Sequence, residues 1–227
     1  MAMKDNYIVQ AWLVVVLALG FGAALAGVET WLKPRIEANK LTTTIEKIPL
    51  LIPGADEAAS GKAAKDGPVI LTIGQGREQA RYDAFRALTA DGEQIGWVVK
   101  ASGKGFADKI ELLIGLDAQV FAIQGLSILD HKETPGLGDK IEKMGTEKKK
   151  GFLWQFAHYA FEANQPLTVT TASPKSTQMN TVKAVAGATI SSQSVSDIIN
   201  EALSKELRDK LADAAKRYNR SRAAGEG

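Results

Sequence analysis

The sequence contains no cysteine and only two histidines, His131 and His158. Without cysteine the chain has no disulfides, zinc–thiolate sites, iron–sulfur ligands or cysteine nucleophiles. Two histidines are too few for a multi-histidine metal centre, which carboxylates would have to complete. The 28 basic residues are nearly balanced by 26 acidic ones, which leaves a formal net charge of +2. Neither a metal site nor nucleic-acid binding, which needs a clustered basic face, is therefore expected.

Polar side chains are almost missing from residues 7–28, where Gln10 is the one that would be costly in a membrane. An apolar helix of about 20 residues crosses the hydrocarbon core of a bilayer, so this stretch is long enough. Trp12 and Trp31 stand near its two ends, as aromatic residues do at membrane interfaces. We therefore predict that residues 1–31 form a single transmembrane anchor in contact with lipid.

Two points about this anchor stay open from the residues alone. A cleaved signal peptide is the alternative, and Ala24-Leu25-Ala26 offers a small-residue cleavage site, although the apolar stretch is longer than a typical signal. The flanking charges bear on the side of the membrane, since Lys4 stands beside Asp5 before the span and Lys33 and Arg35 follow it. Taken alone, the positive-inside rule weakly favours a cytoplasmic location for the rest of the chain.

Residues 32–66 are predicted to form a helical stalk and linker. Apolar residues spaced through a charged run extend an amphipathic helix from Thr30 to about Ile48. Pro53-Gly54 follows and ends that helix. The small and polar residues 55–67 then indicate a loop.

Short stretches of strand composition come next, separated by turn signals such as Asp91-Gly92. We predict strands at residues 69–73, 81–88, 94–101, 110–114, 120–129 and 167–171. Residues 151–162, which include Trp154, Phe156, Tyr159 and Phe161, are expected to pack on the sheet as a helix or a loop. Hairpin strands followed by helices indicate an α+β fold with a mostly antiparallel sheet and packed helices, preceded by one N-terminal transmembrane helix.

One long helix, from Ser192 to about Tyr218, is predicted to end the fold. Its first half has an apolar face, made of Val195, Ile198, Ile199, Ala202 and Leu203. Its second half is heavily charged, which predicts a solvated surface. We accordingly assign residues 67–204 to one folded domain and residues 205–227 to a charged C-terminal helix and tail.

The first of two loops with features of a binding site spans residues 131–140. Pro135 followed by Gly136 and Gly138 fixes a turn and leaves backbone amides bare, so that a ligand could approach them closely. The loop is not a Walker motif, and Gly136-Leu137-Gly138 is too short for a dinucleotide fingerprint. An ordinary long turn after a strand fits the same spacing.

The second loop spans residues 185–192. Gly187 and Ala188 are small, so a bulky group can reach the hydroxyl of Thr189. The helix that follows directs its free amides and the positive end of its dipole at this place, which favours a phosphate there. The alternative from the residues alone is that Thr189, Ser191 or Ser192 is simply the N-cap of the helix.

Together the two loops resemble the FMN-binding domain family, which is shared by the G subunit of the Rnf electron-transport complex and the C subunit of the sodium-pumping NADH:quinone oxidoreductase. The family pattern is Asp-x-x-Ser/Thr-Gly-Ala-Thr, and Gly187-Ala188-Thr189 matches its end. Residues 133–140 look especially like the Rnf loop that lies against the flavin. Gly103-Lys104-Gly105-Phe106 and residues 110–115 resemble the strand before that loop. The similarity covers roughly residues 94–202 and the anchor helix.

The resemblance implies that FMN is bound through a phosphoester to Thr189. The implied cofactor-binding residues are Glu133, Thr134, Pro135, Gly136, Leu137, Gly187, Ala188, Thr189, Ile190 and Ser191. Two positions depart from the pattern that a flavin transferase reads, because Lys183 stands at the aspartate position and Ala186 at the Ser/Thr position. Lys183 either neutralises a phosphate or is an ordinary exposed lysine.

The resemblance further implies an electron-transfer subunit of a membrane oxidoreductase and translocase. Such a complex couples electron flow between ferredoxin and NAD, or a related pair, to ion transport, with other membrane subunits and a flavin transferase as partners. The chain would cross the inner (plasma) membrane once, with its flavin domain on the periplasmic or outer side. Because the flavin ring carries the redox chemistry, no catalytic side chain is needed.

Two alternatives to this function remain. The altered motif is compatible with an assembly subunit that is free of flavin or holds FMN without a covalent bond. A flavin enzyme acting on a small substrate would need proton-transfer groups, for which His131, Glu133 and Asp139 are the clustered candidates.

Overall fold

The computed structural model of the protein describes residues 7–76, 79–145, 150–158, 161–172 and 180–225. The chain divides into two compact units, Met1–Thr42 and Thr43–Gly227. The predictions that concern Lys4, Asp5 and Tyr159 fall on residues outside the described ranges.

The first unit contains most of helix α1, which spans Tyr7–Leu51. Within the described residues, α1 is the one helix long and apolar enough to cross a membrane, and the side chains of its apolar stretch are exposed. Near the polar end of that stretch, the guanidinium of Arg35 lies 5.1 Å from the centre of the Trp31 ring. The predicted N-terminal apolar helix is confirmed, and it continues through the predicted stalk helix without a break.

The second unit is organised around a six-stranded antiparallel sheet whose strands lie side by side in chain order. The strands are β1 (Val69–Ile73), β2 (Ala80–Leu88), β3 (Gln94–Lys104), β4 (Lys109–Asp117), β5 (Ala122–His131) and β6 (Phe161–Glu162). Two further short strands, β7 (Thr168–Thr170) and β8 (Thr181–Lys183), pair in parallel. Gly92, with φ of +77°, makes the predicted turn between β2 and β3. The α+β prediction is confirmed.

Helices cover both faces of the large sheet. They are α2 (Glu57–Lys65), a 3-10 helix (Gly138–Glu142), α3 (Trp154–His158), α4 (Thr189–Ala202) and α5 (Lys205–Gly225). Alternate residues of each strand point to opposite faces. On one face Trp97, Leu112 and Ile114 form a core with α3, α4 and α5. On the other face Leu113 and Val98 are buried, and this face is covered by α2, which packs on β2, and by the end of α1, where Leu51 lies against Gly115.

Helix α2 lies where a loop was predicted, so that prediction is wrong. Asp56 caps the helix, its carboxylate accepting a hydrogen bond from the Ala59 N–H at 2.7 Å. The small residues that suggested a loop instead allow close packing on β2. Ser60 is buried, and its hydroxyl oxygen accepts a hydrogen bond from the Leu88 N–H at 2.9 Å.

The predicted helix from Ser192 to Tyr218 is in fact two helices. Helix α4 begins at Thr189, and the chain turns at Leu203, so that α5 starts at Lys205. The second half is also not fully solvated. Leu207, Leu211 and Ala214, spaced at helical intervals, are buried in the core, and α5 packs on β1. The apolar stripe of this helix is narrow, and charged residues outnumber it in the sequence.

Three glycines on neighbouring strands let the end of α1 lie directly on the sheet. Gly115 of β4 pairs with Gly125 of β5. A Cβ atom would lie 2.8 Å from the Leu51 carbonyl oxygen at Gly115 and 3.1 Å from the same atom at Gly125. At Gly96 of β3 it would lie 3.1 Å from Cγ2 of Ile52. The absence of side chains at these positions therefore creates the groove that receives Leu51 and Ile52, which are both buried.

A polar contact fixes the same end of α1. The ammonium group of Lys47 donates a hydrogen bond to the Ile128 carbonyl oxygen at 2.8 Å. Burial lowers the pKa of Lys47, an effect that the nearby charge of Glu142 partly opposes. Residues 43–52 thus belong to the sheet-containing unit by packing and by hydrogen bonding.

Gly115→Ala is predicted to destabilise this packing, because the new methyl group would meet a backbone oxygen that cannot rotate away. Overpacking of this kind costs about 1–3 kcal/mol. Denaturant unfolding of the full chain in detergent should show a lower midpoint than wild type. Gly22→Ala is the control, since nothing lies within 4 Å of its added Cβ. Equal midpoints for the two variants would contradict the packing described.

Candidate functional site

A cavity of about 290 Å³ lies where three separate segments of the second unit meet. They are the turn between β3 and β4, the loop after β5, and the turn that leads into α4. The lining residues are Phe106, Glu133, Thr134, Leu137, Gly138, Gly187, Ala188, Thr189, Ile190 and Ser191. The two loops singled out in the sequence therefore form one site.

The carboxylate of Glu133 joins all three segments. Its Oε1 accepts hydrogen bonds from the backbone N–H groups of Phe106 at 2.8 Å and Ala107 at 3.2 Å. Its Oε2 accepts the hydroxyl hydrogen of Ser191 at 2.6 Å, in the first turn of α4. Glu133 is buried, with 4% of its surface exposed. Hydrogen bonds to a charged group contribute about 1.5–3 kcal/mol each, so this residue is the main polar link between the cavity walls.

Two glycines make room for the Glu133 side chain. A Cβ atom on Gly138 would lie 2.8 Å from both Cβ and Oε2 of Glu133 and 3.1 Å from Oγ of Ser191. A Cβ on Gly105 would overlap Oε1 of Glu133. A glycine in the turn between β3 and β4 and a glycine in the loop after β5 thus leave space for the carboxylate that links the cavity walls.

The turn before α4 is held by hydrogen bonds of its own. The Ala188 N–H donates to the Val185 carbonyl oxygen at 2.9 Å, and the Val185 N–H donates to Oγ of Ser192 at 3.1 Å. The Ser192 hydroxyl in turn donates to the Ala188 carbonyl oxygen at 2.9 Å. Gly187 completes the turn with φ of +82°, a conformation that favours glycine.

Helix α4 begins without a side-chain cap. Its N-cap residue is Ala188, which has no side-chain acceptor, and Thr189 is the first helical residue. The alternative that Thr189, Ser191 or Ser192 is the N-cap is therefore wrong. The first amides of a helix have no intrahelical partners, so an uncapped helix end beside a cavity favours an anion there. The Thr189 side chain is exposed at this helix end.

Glu133 is the one charged residue among the described residues that line the cavity. An ion pair lies outside the lining, where the Lys132 ammonium group is 3.0 Å from Oδ2 of Asp108. The Lys109 N–H and then Lys132 lower the pKa of Asp108, and the hydrogen bond to Asp108 raises the pKa of Lys132. Both side chains are solvent-exposed, so this pair contributes little to stability.

Apolar side chains surround the opening of the cavity. Phe106 is 60% exposed, Ile190 59% and Leu137 48%. Leu137 also joins the two loops, since a Cβ on Gly187 would lie 3.2 Å from its Cδ2. Clustered exposed apolar side chains mark a binding surface more often than a bare solvent face. The rim suits a flat aromatic ligand.

Most of the predicted site residues lie together. All of them line the cavity except Pro135 and Gly136, which belong to the same loop, where Gly136 shapes the turn with φ of +77°. The sequence interpretation did not assign Phe106 and Gly138 to the site. The Gly105-Phe106 pair just before a strand was the available signal.

The other residues singled out in the sequence lie outside the lining. His131 accepts a hydrogen bond from the Glu133 N–H at its Nδ1 (3.1 Å), while its Nε2 lies 3.3 Å from a Glu142 carboxylate oxygen. Asp139 has one buried carboxylate oxygen with no hydrogen-bond partner among the described residues. Lys183 is exposed on β8, and its backbone N–H and C=O are held by the Gln155 side chain at 2.7 and 3.0 Å. Ala186 is exposed in the turn before α4.

Comparisons with known proteins place this fold and its cavity in the class of proteins with an FMN-binding domain. The profile of the FMN-binding domain family matches residues 105–204, a range that includes every lining residue. The solved structures with a similar fold include NqrC of Shewanella oneidensis, with a TM-score of 0.53 and 18% identity over 65% of this chain and 69% of that one. The C subunit of the Na(+)-translocating NADH-quinone reductase of Parabacteroides distasonis has a TM-score of 0.53 and 17% identity, over 80% of this chain and 96% of that one.

Relatives with higher sequence identity narrow the class. The G subunit of the ion-translocating oxidoreductase complex of Pseudoalteromonas atlantica is 32% identical over 159 residues, which is 68% of this chain and 67% of the relative. The G subunit of the Na(+)-translocating ferredoxin:NAD(+) oxidoreductase complex of Acetobacterium woodii is 28% identical, over 72% of this chain and 73% of the relative. The chain belongs to the FMN-binding domain family, within the group that contains these G subunits.

Two serines of α4 give a matched test of the Glu133 contact. Ser191→Ala removes a hydrogen bond to a carboxylate and should lower the free energy of unfolding by roughly 1.5–3 kcal/mol. Ser196→Ala should be neutral or slightly stabilising, because the Ser196 hydroxyl is buried without a partner among the described residues. Denaturant unfolding of both full-length variants measures the difference. Equal losses of stability would contradict the role given to Glu133.

Proposed function

We propose that this chain is a membrane-anchored flavoprotein subunit that carries FMN as a phosphoester on Thr189 and passes electrons within an ion-translocating redox complex. The observation that carries the proposal is the position of Thr189. It is exposed in the lining of the cavity, as the first residue of an uncapped helix, within the part of the chain that matches the FMN-binding family.

The charge of the site favours FMN bonded to Thr189, whose phosphate is a diester, over unbonded FMN, whose phosphate is a monoester. A phosphate monoester carries close to two negative charges at neutral pH, whereas a diester carries one. No lysine or arginine is found among the described lining residues, and Glu133 adds a negative charge. The amides and dipole at the start of α4 can stabilise about half a unit charge. A bond to Thr189 lowers the charge that these groups must stabilise and holds the phosphate in place without a cation.

The apolar rim fits the ring of the cofactor. Phe106, Leu137 and Ile190 would contact the isoalloxazine ring, whose edge remains open to a partner because the cavity is at the small end of ligand pockets. The bound FMN supplies the redox chemistry. The residues of the chain bind the phosphate, orient the ring and exclude water from part of it.

Electron transfer fits the site better than conversion of a small substrate. Of the proton-transfer candidates His131, Glu133 and Asp139, only Glu133 lines the cavity, and both of its oxygens already accept hydrogen bonds from the protein. A general acid or base must reach the proton that it transfers. A flavin carrier requires no such group.

The names of the relatives supply the rest of the proposal. The relative in P. atlantica is a subunit of an ion-translocating oxidoreductase complex, and the one in A. woodii is a subunit of a complex named for ferredoxin and NAD(+). We propose other membrane subunits of such a complex as partners, lipid around the apolar part of α1, and a flavin transferase that modifies Thr189. We also propose that the flavin domain lies on the outer side, against the weak preference of Lys33 and Arg35.

The covalent link is tested by the intact mass of the full chain, expressed with its native partners and flavin transferase. Wild type and Thr189→Ser should gain the mass of FMN less one water, because both retain a hydroxyl acceptor, and Thr189→Ala should not. Thr170→Ala, outside the cavity, is the control and should be modified like wild type. An adduct on Thr189→Ala would contradict the assigned residue. A yellow but unmodified wild type would contradict the covalent bond, and a colourless one would indicate an assembly subunit without flavin.

The two departures from the family motif give a second test. Lys183→Asp combined with Ala186→Ser restores the pattern and should raise the fraction of modified chain when the transferase is limiting. Lys205→Asp makes the same change of charge at an exposed position of α5 and should leave the fraction unchanged. The same intact-mass measurement quantifies all three chains. If restoring the motif does not raise the modified fraction, the transferase does not read these positions here.

A further inference from the structure

Glu133 presents a fixed negative charge to the cavity rather than a free ligand group. Its Oε1 accepts two backbone N–H groups and its Oε2 accepts the Ser191 hydroxyl, so the hydrogen-bonding positions that face the protein are filled. With 4% of its surface exposed, the side chain has little room to turn toward a ligand. The three donors together match a carboxylate, which is an acceptor only.

No ion pair among the described residues neutralises this charge. Lys132, the next residue back in the chain, points its ammonium group at Asp108 and is solvent-exposed. The partners of Glu133 are two amides and one hydroxyl, which are dipoles rather than charges. The positive end of α4 offsets part of the field, by about half a unit charge. A net negative field therefore reaches the cavity, and it is stronger than the field of a carboxylate in water because the Glu133 side chain is buried.

We propose that Glu133 lowers the reduction potential of the flavin in this cavity, which rests on the proposed function. Reduction of the bound flavin takes two electrons from the electron donor of the complex and one proton from the solvent, which leaves one additional negative charge on the ring. A fixed negative charge near the ring opposes the arrival of the electrons. The lowered potential makes the flavin a weaker electron acceptor, so that a strongly reducing partner is needed to reduce it. The reduced flavin is then a stronger electron donor.

Glu133 is thus a positioning residue through its contacts and a tuning residue through its charge, and two substitutions separate these effects. Glu133→Gln removes the charge and keeps the size. Its amide oxygen can still accept from Phe106 and Ala107, and its NH₂ group can donate to the Ser191 oxygen. Ser191→Ala removes one of the contacts and keeps the charge.

Asp117 provides a matched control at the other end of β4. Its carboxylate also accepts two backbone N–H groups, from Phe121 at 2.6 Å and from Ala122 at 2.9 Å. The other eight residues of β4 separate it from the turn that contains Phe106, a span of roughly 26 Å at about 3.3 Å per residue. Asp117→Asn makes the same change in net charge and the same change in a hydrogen-bonded carboxylate, far from the cavity.

The test is an equilibrium redox titration of the flavin-loaded full chain in detergent, followed by flavin absorbance with reference dyes. At the same applied potential, the ratio of reduced to oxidised flavin in Glu133→Gln should be about tenfold higher than in wild type, as expected for one unit charge near the ring. Asp117→Asn should stay within about twofold of wild type, and Ser191→Ala, which keeps the charge of Glu133, should shift the ratio by less than Glu133→Gln does. An unchanged ratio for Glu133→Gln overturns the proposal, and so does an equal shift for Ser191→Ala, which would make the effect one of position.

Wild type alone provides a second measurement if Glu133→Gln does not fold. Its flavin should have a lower potential than free FMN in the same buffer, and a potential at or above that of free FMN overturns the inference. A wild-type chain that carries no flavin at all overturns the proposed function instead. The two failures are therefore distinguished before any variant is made.

Discussion

The buried carboxylate of Glu133 is the contact on which the rest of the site depends. The three segments that it joins are far apart in the sequence, and their side chains share no other charged partner among the described residues that line the cavity. Gly105 and Gly138 have no side chains where a Cβ would collide with this carboxylate. Both glycines lie in segments that connect strands, where glycine is common, but here their lack of a side chain makes room for the buried Glu133 carboxylate.

The sheet fixes where that contact can form. The turn between β3 and β4 and the end of β5 lie at the same end of the antiparallel sheet, so Phe106 and Glu133 are neighbours by topology. Helix α4 packs along β3 on one face and brings Thr189 and Ser191 to that end. On the opposite face, the three glycines of β3, β4 and β5 receive Leu51 and Ile52. The turns and the loop that line the cavity are therefore anchored at their ends by strands and a helix, which suits the cofactor site that we propose.

Most of the strands, the apolar helix and the two loops of the site were predictable from the sequence, and the elements that were missed have physical causes. The strands could be predicted because the alternation of apolar residues and the turn signals are local sequence patterns. The apolar anchor could be predicted because such a long apolar stretch is unusual. Helix α2 was missed because Ser60 and Gly61 look like loop residues when their packing partner is unknown. The buried stripe of α5 was missed because Leu207 and Leu211 are outnumbered by charges. The two loops were recognised, but Phe106 was not assigned to the site, because its hydrogen bond to Glu133 crosses 27 residues and the Gly105-Phe106 pair alone does not indicate that contact.

The cofactor site that we propose in this cavity is held together by a buried charge. The lack of a lining cation among the described residues, the uncapped helix and the exposed threonine favour a phosphate held as a diester, and Glu133 gives that site its shape and its field. Phosphorus NMR of the purified full chain tests this most directly, because a phosphate monoester titrates with a pKa of about 6 and a diester does not. We expect one resonance whose chemical shift is constant through that pH range and which stays with the chain after unfolding. A resonance that titrates near pH 6, or that is lost when the protein is unfolded and washed, would contradict the diester.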